Sequence, residues 1–231
     1  MPSAVLIGAN RGLGLGFAKN LLRAGYDLHA TVRDPNACPE LMQLGVSCPL
    51  QLHVYPFEVT SADSRRHFVD NLAISQIDLL IHNAGIYGPP KVPLGTLDEE
   101  TWKQVLWVDT IAPLLLMQDL LPRLRAAEAA KIALLTSKVG SIADNDYGAC
   151  YFYRSAKAGL NAAGRSLAID LTPEGISVIL LHPGWVRTDM GGVAAPLEVP
   201  ESVAGMLQQM EQLSIQTTGR FVDYSGAPIP W

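Results

Sequence analysis

Tyr153 and Lys157 stand four positions apart at the start of a stretch of helical period that runs to residue 171. That spacing puts both side chains on one helical face, one turn apart. A phenol with its ordinary pKa near 10 is a poor acid or base at neutral pH, and a neighbouring ammonium lowers that value by favouring the phenolate. The pair therefore suits proton transfer to or from a carbinol oxygen. Alone, Tyr-x-x-x-Lys reads equally as two surface side chains. Its weight comes from Ser137, in Leu-Leu-Thr-Ser137-Lys-Val-Gly140, where a strand pattern enters a loop and a hydroxyl is placed to hydrogen-bond a substrate oxygen. Ser141 is a competing hydroxyl four residues later.

A second constellation is Gly8-Ala-Asn10-Arg11-Gly12-Leu13-Gly14, set between a short apolar run and a helical pattern. Glycines are needed where the backbone turns sharply and where a side chain would hold a pyrophosphate away from the free N–H groups of a helix N-terminus. The spacing differs from the Gly-x-Gly-x-x-Gly fingerprint, and a plain strand-to-helix turn is the alternative reading. Its place after the first strand of a repeating β-α chain favours a dinucleotide site. The end of the second strand should lie near the adenosine ribose, where a carboxylate selects a free 2′-hydroxyl and an arginine a 2′-phosphate. The sequence offers both, as Arg33-Asp34, and Arg11 is a second cation within the glycine loop. Two guanidiniums against one carboxylate favour NADP(H). The other reading makes Arg33 and Asp34 solvated loop charges.

The elements that must position these groups alternate almost from end to end. Strand patterns fall at 4–7, 28–32, 53–57, 77–81, 132–136, 176–181 and 220–222, and helical patterns at 13–24, 62–72, 98–108, 113–127, 153–171 and 201–212. Several strand runs lack polar alternation, as strands buried on both faces should. The pattern predicts one α/β domain over 1–231, a doubly wound parallel sheet of about seven strands with helices on both faces. Pro56 marks the end of the third strand, because proline cannot donate to a sheet ladder. The Gly/Pro-rich stretches 87–95 and 191–200 read as loops, and the segment 187–212 is expected to cover the substrate.

With 48% hydrophobic and 17% charged residues, the 231-residue chain can build one substantial core, which excludes intrinsic disorder. Its net charge of -5 gives no global footprint for nucleic acid or an anionic membrane, so any phosphate must be held by local groups. Cys38, Cys48 and Cys150 are an odd number with no Cys-x-x-Cys pair, which argues against disulfides and structural zinc and for a reducing, cytoplasmic setting. No basic leader precedes the first apolar run, and the apolar stretch 111–121, interrupted by Pro113 and Asp119, is too short to span a bilayer. The five histidines have no i, i+4 pair and no carboxylate at ligand spacing, so no metal is expected, and His82 and His182 read as packing residues. No Gly-x-Ser-x-Gly elbow exists for a serine hydrolase. Trp102, Trp107 and the leucines of 114–121 suit helix packing or a subunit interface, and Trp185 suits substrate contact.

Together these motifs resemble the short-chain dehydrogenase/reductase family over nearly the whole chain. Asn83-Ala84-Gly85 is similar to the family's Asn-Ala-Gly motif, which stabilises the central sheet and lines the cofactor site. Ser137, Tyr153 and Lys157 fall on the family's catalytic positions. Pro183-Gly184 matches the segment that turns toward the nicotinamide, followed by Val186 and Thr188, which in relatives contact the carboxamide and phosphates. Segments 151–157, 182–192 and 219–231 resemble Sniffer-like carbonyl reductases and bacterial C-factor signalling proteins.

The resemblance implies a Rossmann-type fold, NADP(H) preferred over NAD(H), and hydride transfer between nicotinamide and a carbonyl or secondary alcohol. Ser137 would polarise the carbonyl, Tyr153 would move the proton, and Lys157 would lower the tyrosine pKa and hold the ribose. It implies a homodimer or homotetramer. The alternative it carries is an NADP-binding signalling or sensor protein with little turnover. Two positions depart from the family. Asp109 stands where many members have a relay asparagine, so either the relay is rewired or the Asp109 pKa is raised. Glu58-Val59 replaces the usual Asp-Val beside the adenine.

Overall fold

Seven apolar runs form seven parallel strands in the computed structural model, which describes all 231 residues: β1 (Ser3–Ile7), β2 (Asp27–Val32), β3 (Leu52–Pro56), β4 (Leu79–His82), β5 (Lys131–Leu135), β6 (Ser177–His182) and β7 (Arg220–Asp223). Each expected strand is present, within two residues of its expected bounds. The order across the sheet is β3-β2-β1-β4-β5-β6-β7. Because β1 pairs with β2 on one side and with β4 on the other, the winding reverses there, and ligands of such sheets bind beside that point at the carboxyl ends of the strands.

The helices are α1 (Gly12–Arg23), α2 (Pro39–Ser47), α3 (Ala62–Asn71), α4 (Glu99–Leu106), α5 (Ala112–Arg125), α6 (Tyr151–Leu171) and α7 (Val199–Glu211). Strand residues alternate between two buried layers. Leu6, Leu28 and Ile179 face α1, α2 and α7 through Phe17, Leu41 and Met206. Ile7, Leu80 and Val178 face α3, α5 and α6 through Phe68, Leu116 and Leu160. Burial on both faces explains the nearly continuous apolar strands. Each such side chain contributes about 1.5–3 kcal/mol.

Helix α2 was not expected. It buries only Leu41, too little for a helical period to stand out. Helices α4 and α5 were expected as separate elements, but a π-helical turn, Trp107–Ile111, joins them into one rod over Glu99–Arg125. That rod is long and apolar enough to cross a membrane by length and composition. It is a core helix here, with Leu116, Met117, Leu120 and Leu124 packed on the sheet and Asp109 turned inward from the π turn.

Pro56 ends β3, an edge strand, so its missing N–H removes no interior ladder bond. Register brings His29 opposite His53, and the rings stack at 4.5 Å and 15°. The spacing of the histidines showed no carboxylate near them, yet Asp27 lies 3.0 Å from His53 Nε2 and 3.4 Å from His29 Nε2. The Tyr55 hydroxyl lies 2.9 Å from His29 Nδ1. Asp27, His29 and His53 thus bring donor atoms within 4.8 Å of one another, a carboxylate-histidine grouping that sequence spacing did not show and that could hold a metal ion, and together they clamp β2 to β3.

Candidate active site

The glycine loop folds back on itself between β1 and α1. Gly8, at φ +84, donates its N–H to Thr31 Oγ1 at 3.1 Å, and its carbonyl accepts the Asn83 side-chain amide at 2.6 Å. A Cβ on Gly14 would lie 1.9 Å from the Gly8 oxygen, so no side chain fits there. Arg11 occupies the N-cap of α1 without a capping side-chain bond, and the first turn holds no acid. The free N–H groups are therefore left for an anion. Asn10 is half-buried beside the loop, and Leu13 packs on the core. Ala84 lies close enough that a Cβ on Gly8 would meet it at 3.1 Å. The crowded glycines and the uncapped, acid-free helix start fit a pyrophosphate.

At the adenosine end, Arg33 follows β2 and is exposed. Asp34 turns away, its Oδ1 accepting the Asn36 N–H at 2.9 Å across a short 3-10 turn. Arg11 does not join Arg33. It forms an ion pair with Asp189, a residue with no motif of its own in the sequence. Glu58 closes into its own turn, with Oε1 accepting from the Thr60 N–H at 3.1 Å and from its hydroxyl at 2.9 Å, while Val59 packs on the core.

Ser137 follows β5 in extended conformation and is buried. Its turn lies directly on α6, since a Cβ on Gly140 would meet the Lys157 backbone at 2.8 Å. Ala149 and Cys150 take left-handed φ values of 55 and 53 just before α6, which begins at Tyr151. Tyr153 and Lys157 are both buried, with Nζ 5.5 Å from the Tyr153 ring centroid. Nζ donates to the Leu135 carbonyl at 3.2 Å and lies 3.2 Å from Asp109 Oδ2. Asp109 Oδ1 accepts the Ile86 N–H at 2.8 Å. The Tyr87 ring packs at a tilt of 34° against Tyr153, centroids 4.6 Å apart, and its hydroxyl lies 3.2 Å from Cys150 Sγ. Nothing in the local spacing of Tyr87 signalled that contact.

Burial sets the protonation of these groups. It pushes the Tyr153 phenol up, Lys157 opposes that shift, and Asp109 adds to it. Lys157 pulls in the expected direction, but burial outweighs it and leaves the phenol above its usual value. Burial also raises Asp109 against the pull of Lys157 and the Ile86 N–H. Lys157 is raised, since Asp109 and Tyr153 outweigh its burial. His82, buried at the end of β4 with Nε2 unpartnered, is pushed down to about 3 by burial and Lys157.

The far wall follows β6. Ser202 donates its hydroxyl to the Pro183 carbonyl at 2.6 Å, and Gly184 at φ +84 leaves no space for a Cβ, which would lie 2.7 Å from Leu197. Val186 is buried and bridges to Leu197. The Thr188 methyl lies 3.2 Å from the Cβ position of Gly12, so this segment reaches back to the glycine loop. Trp185 is exposed, its indole N–H donating to the Gly191 carbonyl at 2.7 Å. Beyond residue 198 the segment is helix α7, whose Val203 and Met206 are fully buried against the α1 layer.

A family model described as short chain dehydrogenase matches residues 2–196. The chain belongs to the short-chain dehydrogenase/reductase family. This short-chain dehydrogenase is 43% identical over 166 residues to the C-signal protein of Myxococcus xanthus, a match covering 72% of this chain and 99% of that protein. It is also similar to the carbonyl reductase Sniffer of D. melanogaster, with a TM-score of 0.94, 33% identity and 100% of both chains covered. An NADPH-bound carbonyl reductase from chicken fatty liver gives a TM-score of 0.93 and 36% identity, covering 100% of this chain and 99% of that one. The short-chain dehydrogenase thus has both Sniffer-like carbonyl reductases and the C-signal protein among its relatives, and its family chemistry is nicotinamide-linked oxidoreduction.

Proposed function

We propose that this short-chain dehydrogenase is an NADP(H)-dependent carbonyl reductase, moving hydride between the nicotinamide and a carbonyl compound or secondary alcohol. The observation that carries this reading is the joint burial of Ser137, Tyr153 and Lys157 at the carboxyl ends of the strands, beside a glycine cradle open to an anion. The nicotinamide would supply hydride when bound, and positioning and proton transfer fall to the side chains. Ser137 donates its hydroxyl to the carbonyl oxygen and polarises it. Tyr153 gives its proton to the same oxygen as the carbon is reduced, and takes it back in the reverse direction. Lys157 holds the ribose hydroxyls. Gly8, Asn10, Gly12, Leu13 and Gly14 receive the pyrophosphate, and Arg33 receives the 2′-phosphate. Glu58 and Val59 border the adenine, while Asn83, Ala84 and Gly85 line the slot. Pro183, Gly184, Val186 and Thr188 form the carboxamide wall, and Trp185 borders the substrate.

The preference for NADP(H) rests on Arg33, which stays free while Asp34 is used within its own turn. In a fluorescence titration NADPH should bind at least about tenfold tighter than NADH, and Arg33→Ala should erase most of the difference. Equal wild-type affinities would overturn the cofactor assignment. Tyr153→Phe should abolish NADPH-dependent turnover across a panel of aldehydes and ketones. Unchanged turnover would sink the mechanism. The free thiols suit a reducing, cytoplasmic setting, and a homodimer or homotetramer is the assembly proposed, checked by sedimentation.

A second reading is a dinucleotide-dependent signalling protein with little turnover, favoured by the 43% identity to the C-signal protein. Tight NADPH binding without oxidation by any carbonyl in a wide screen would select it. Steady turnover would reject it.

A further inference from the structure

We propose that Asp109 is a positioning residue that acts through Lys157 to keep Tyr153 in its protonated, proton-donating form, setting this site for carbonyl reduction. The proposal rests on the reading of the site as an NADP(H)-dependent reductase. It begins from how Asp109 is held. The π turn between α4 and α5 directs it inward, and its side chain is fully buried. The Ile86 N–H fixes Oδ1 at 2.8 Å, and Oδ2 lies 3.2 Å from Lys157 Nζ with no aligned hydrogen bond of its own. Gly85 makes the approach possible. A Cβ there would lie 3.2 Å from Asp109 Oδ1 and 3.4 Å from Lys157 Nζ, wedged between acid and base.

An isolated ammonium beside a phenol favours the phenolate. A carboxylate at 3.2 Å turns that ammonium into one end of a dipole, whose field falls off faster with distance, so Tyr153 feels little net positive charge. Lys157 and Asp109 are the two charged groups acting on Tyr153, and the Ser137 hydroxyl is the polar one. Two further charged side chains lie next along the chain and are engaged elsewhere, Lys138 with Asp144 and Arg154 with the Val139 carbonyl and the Tyr147 ring. Tyr87, whose ring packs at a tilt against Tyr153, is held as a phenol by burial and the Cys150 contact, and His82 near Lys157 is held neutral by burial.

A protonated Tyr153 is what reduction requires. When bound, NADPH would supply the hydride for the new C–H bond as the carbonyl π pair moves to oxygen, and the Tyr153 O–H bond would break to protonate that oxygen. The products are alcohol, NADP⁺ and a tyrosinate that regains its proton from water. With a neutral residue at 109, the uncompensated Lys157 would hold Tyr153 as tyrosinate at lower pH, which serves oxidation instead.

The test is a near-ultraviolet tyrosinate titration of the full-length protein and of Asp109→Asn, each compared with its Tyr153→Phe counterpart to isolate the one phenol. Tyr153 should titrate at least about one pH unit lower in Asp109→Asn than in wild type. Asp109→Ser, a smaller neutral replacement, should move it the same way, which covers an Asn variant that folds poorly. Tyr153 titrating at the wild-type pH or above in the variants, or in neither protein, overturns the proposal. As a companion measurement, the alkaline limb of the pH profile for NADPH-dependent aldehyde reduction should move down by the same amount in Asp109→Asn, and an unmoved limb would also overturn it. A wild type that oxidises no NADPH would defeat the reductase reading alone, because the titration still decides what Asp109 does to Tyr153.

Discussion

Arg11, at the N-cap of α1, forms an ion pair with Asp189 in the segment after β6. The contact crosses the mouth of the phosphate cradle, beside the approach of Thr188 to Gly12. Both side chains are largely exposed, so the pair adds little to stability. Its effect is on the ligand, because it holds a carboxylate next to an anion site and occupies a guanidinium that would otherwise attract phosphate. Asp189→Asn should therefore tighten NADPH binding about threefold or more at low ionic strength, with the gain fading in high salt. Fluorescence titrations at two salt concentrations would check this. Weaker binding in the variant would mean that the pair helps to hold the cofactor.

Gly14 tests the cradle. An alanine there would drive Cβ into the Gly8 carbonyl at 1.9 Å and toward the Asn83 amide at 2.9 Å. Gly14→Ala should cost about 1–3 kcal/mol of stability and abolish NADPH binding. Chemical denaturation and cofactor titration measure the two effects separately. Wild-type values in both would show that the loop opens without penalty.

Tyr87 supports Tyr153 through its ring, whereas its hydroxyl meets only Cys150. Tyr87→Phe keeps the ring contact and should retain near-wild-type kcat/KM for aldehyde reduction. Tyr87→Ala opens Tyr153 to water and should lower it about tenfold, through loss of the fixed geometry. If the phenylalanine variant were equally impaired, the hydroxyl rather than the ring would be the important group.

Acid should destabilise the protein through its buried histidines. Burial first, and then Lys157, holds His82 down at about 3, and burial holds His182 down at about 4 against the opposing pull of Asp223. Burial lowers His29 as well, against Asp27. A group depressed from 6.5 in the folded state contributes its full stability above pH 6.5 and loses it as pH falls toward the folded value. At pH 5 the loss from His82 alone is about 2 kcal/mol. Urea denaturation at pH 7.5 and pH 5 should show the drop, and His82→Gln should flatten it. An equal slope in the variant would place the acid sensitivity elsewhere.

Most of the architecture was legible because it is written locally. Strand runs such as 176–181 carry their burial in composition, and the i, i+4 spacing of Tyr153 and Lys157 survives in helix α6 unchanged. Gly8, Gly12 and Gly14 marked a loop whose crowding the structure measures. Helix α2 was missed because it buries a single residue, and the π turn because a helical period does not reveal one extra residue in a turn. Tyr87 and Asp189 carried no local signal, since each gains its role from a partner far along the chain.

The amino-acid sequence by itself determined the β-α alternation, the glycine loop, the serine, tyrosine and lysine, and the presence of Arg33 and Asp34 at one strand end. These features arise from hydrophobic period and short-range spacing, which fold along with their own segments. Only the tertiary structure decided which neighbours those groups meet. It separated Arg11 from Arg33 by pairing Arg11 with Asp189, turned Asp34 into its own loop, and set Asp109 against Lys157. It also let burial outweigh the expected pull of Lys157 on Tyr153, because desolvation and long-range charge depend on the surroundings of a group in space and not on its neighbours along the chain.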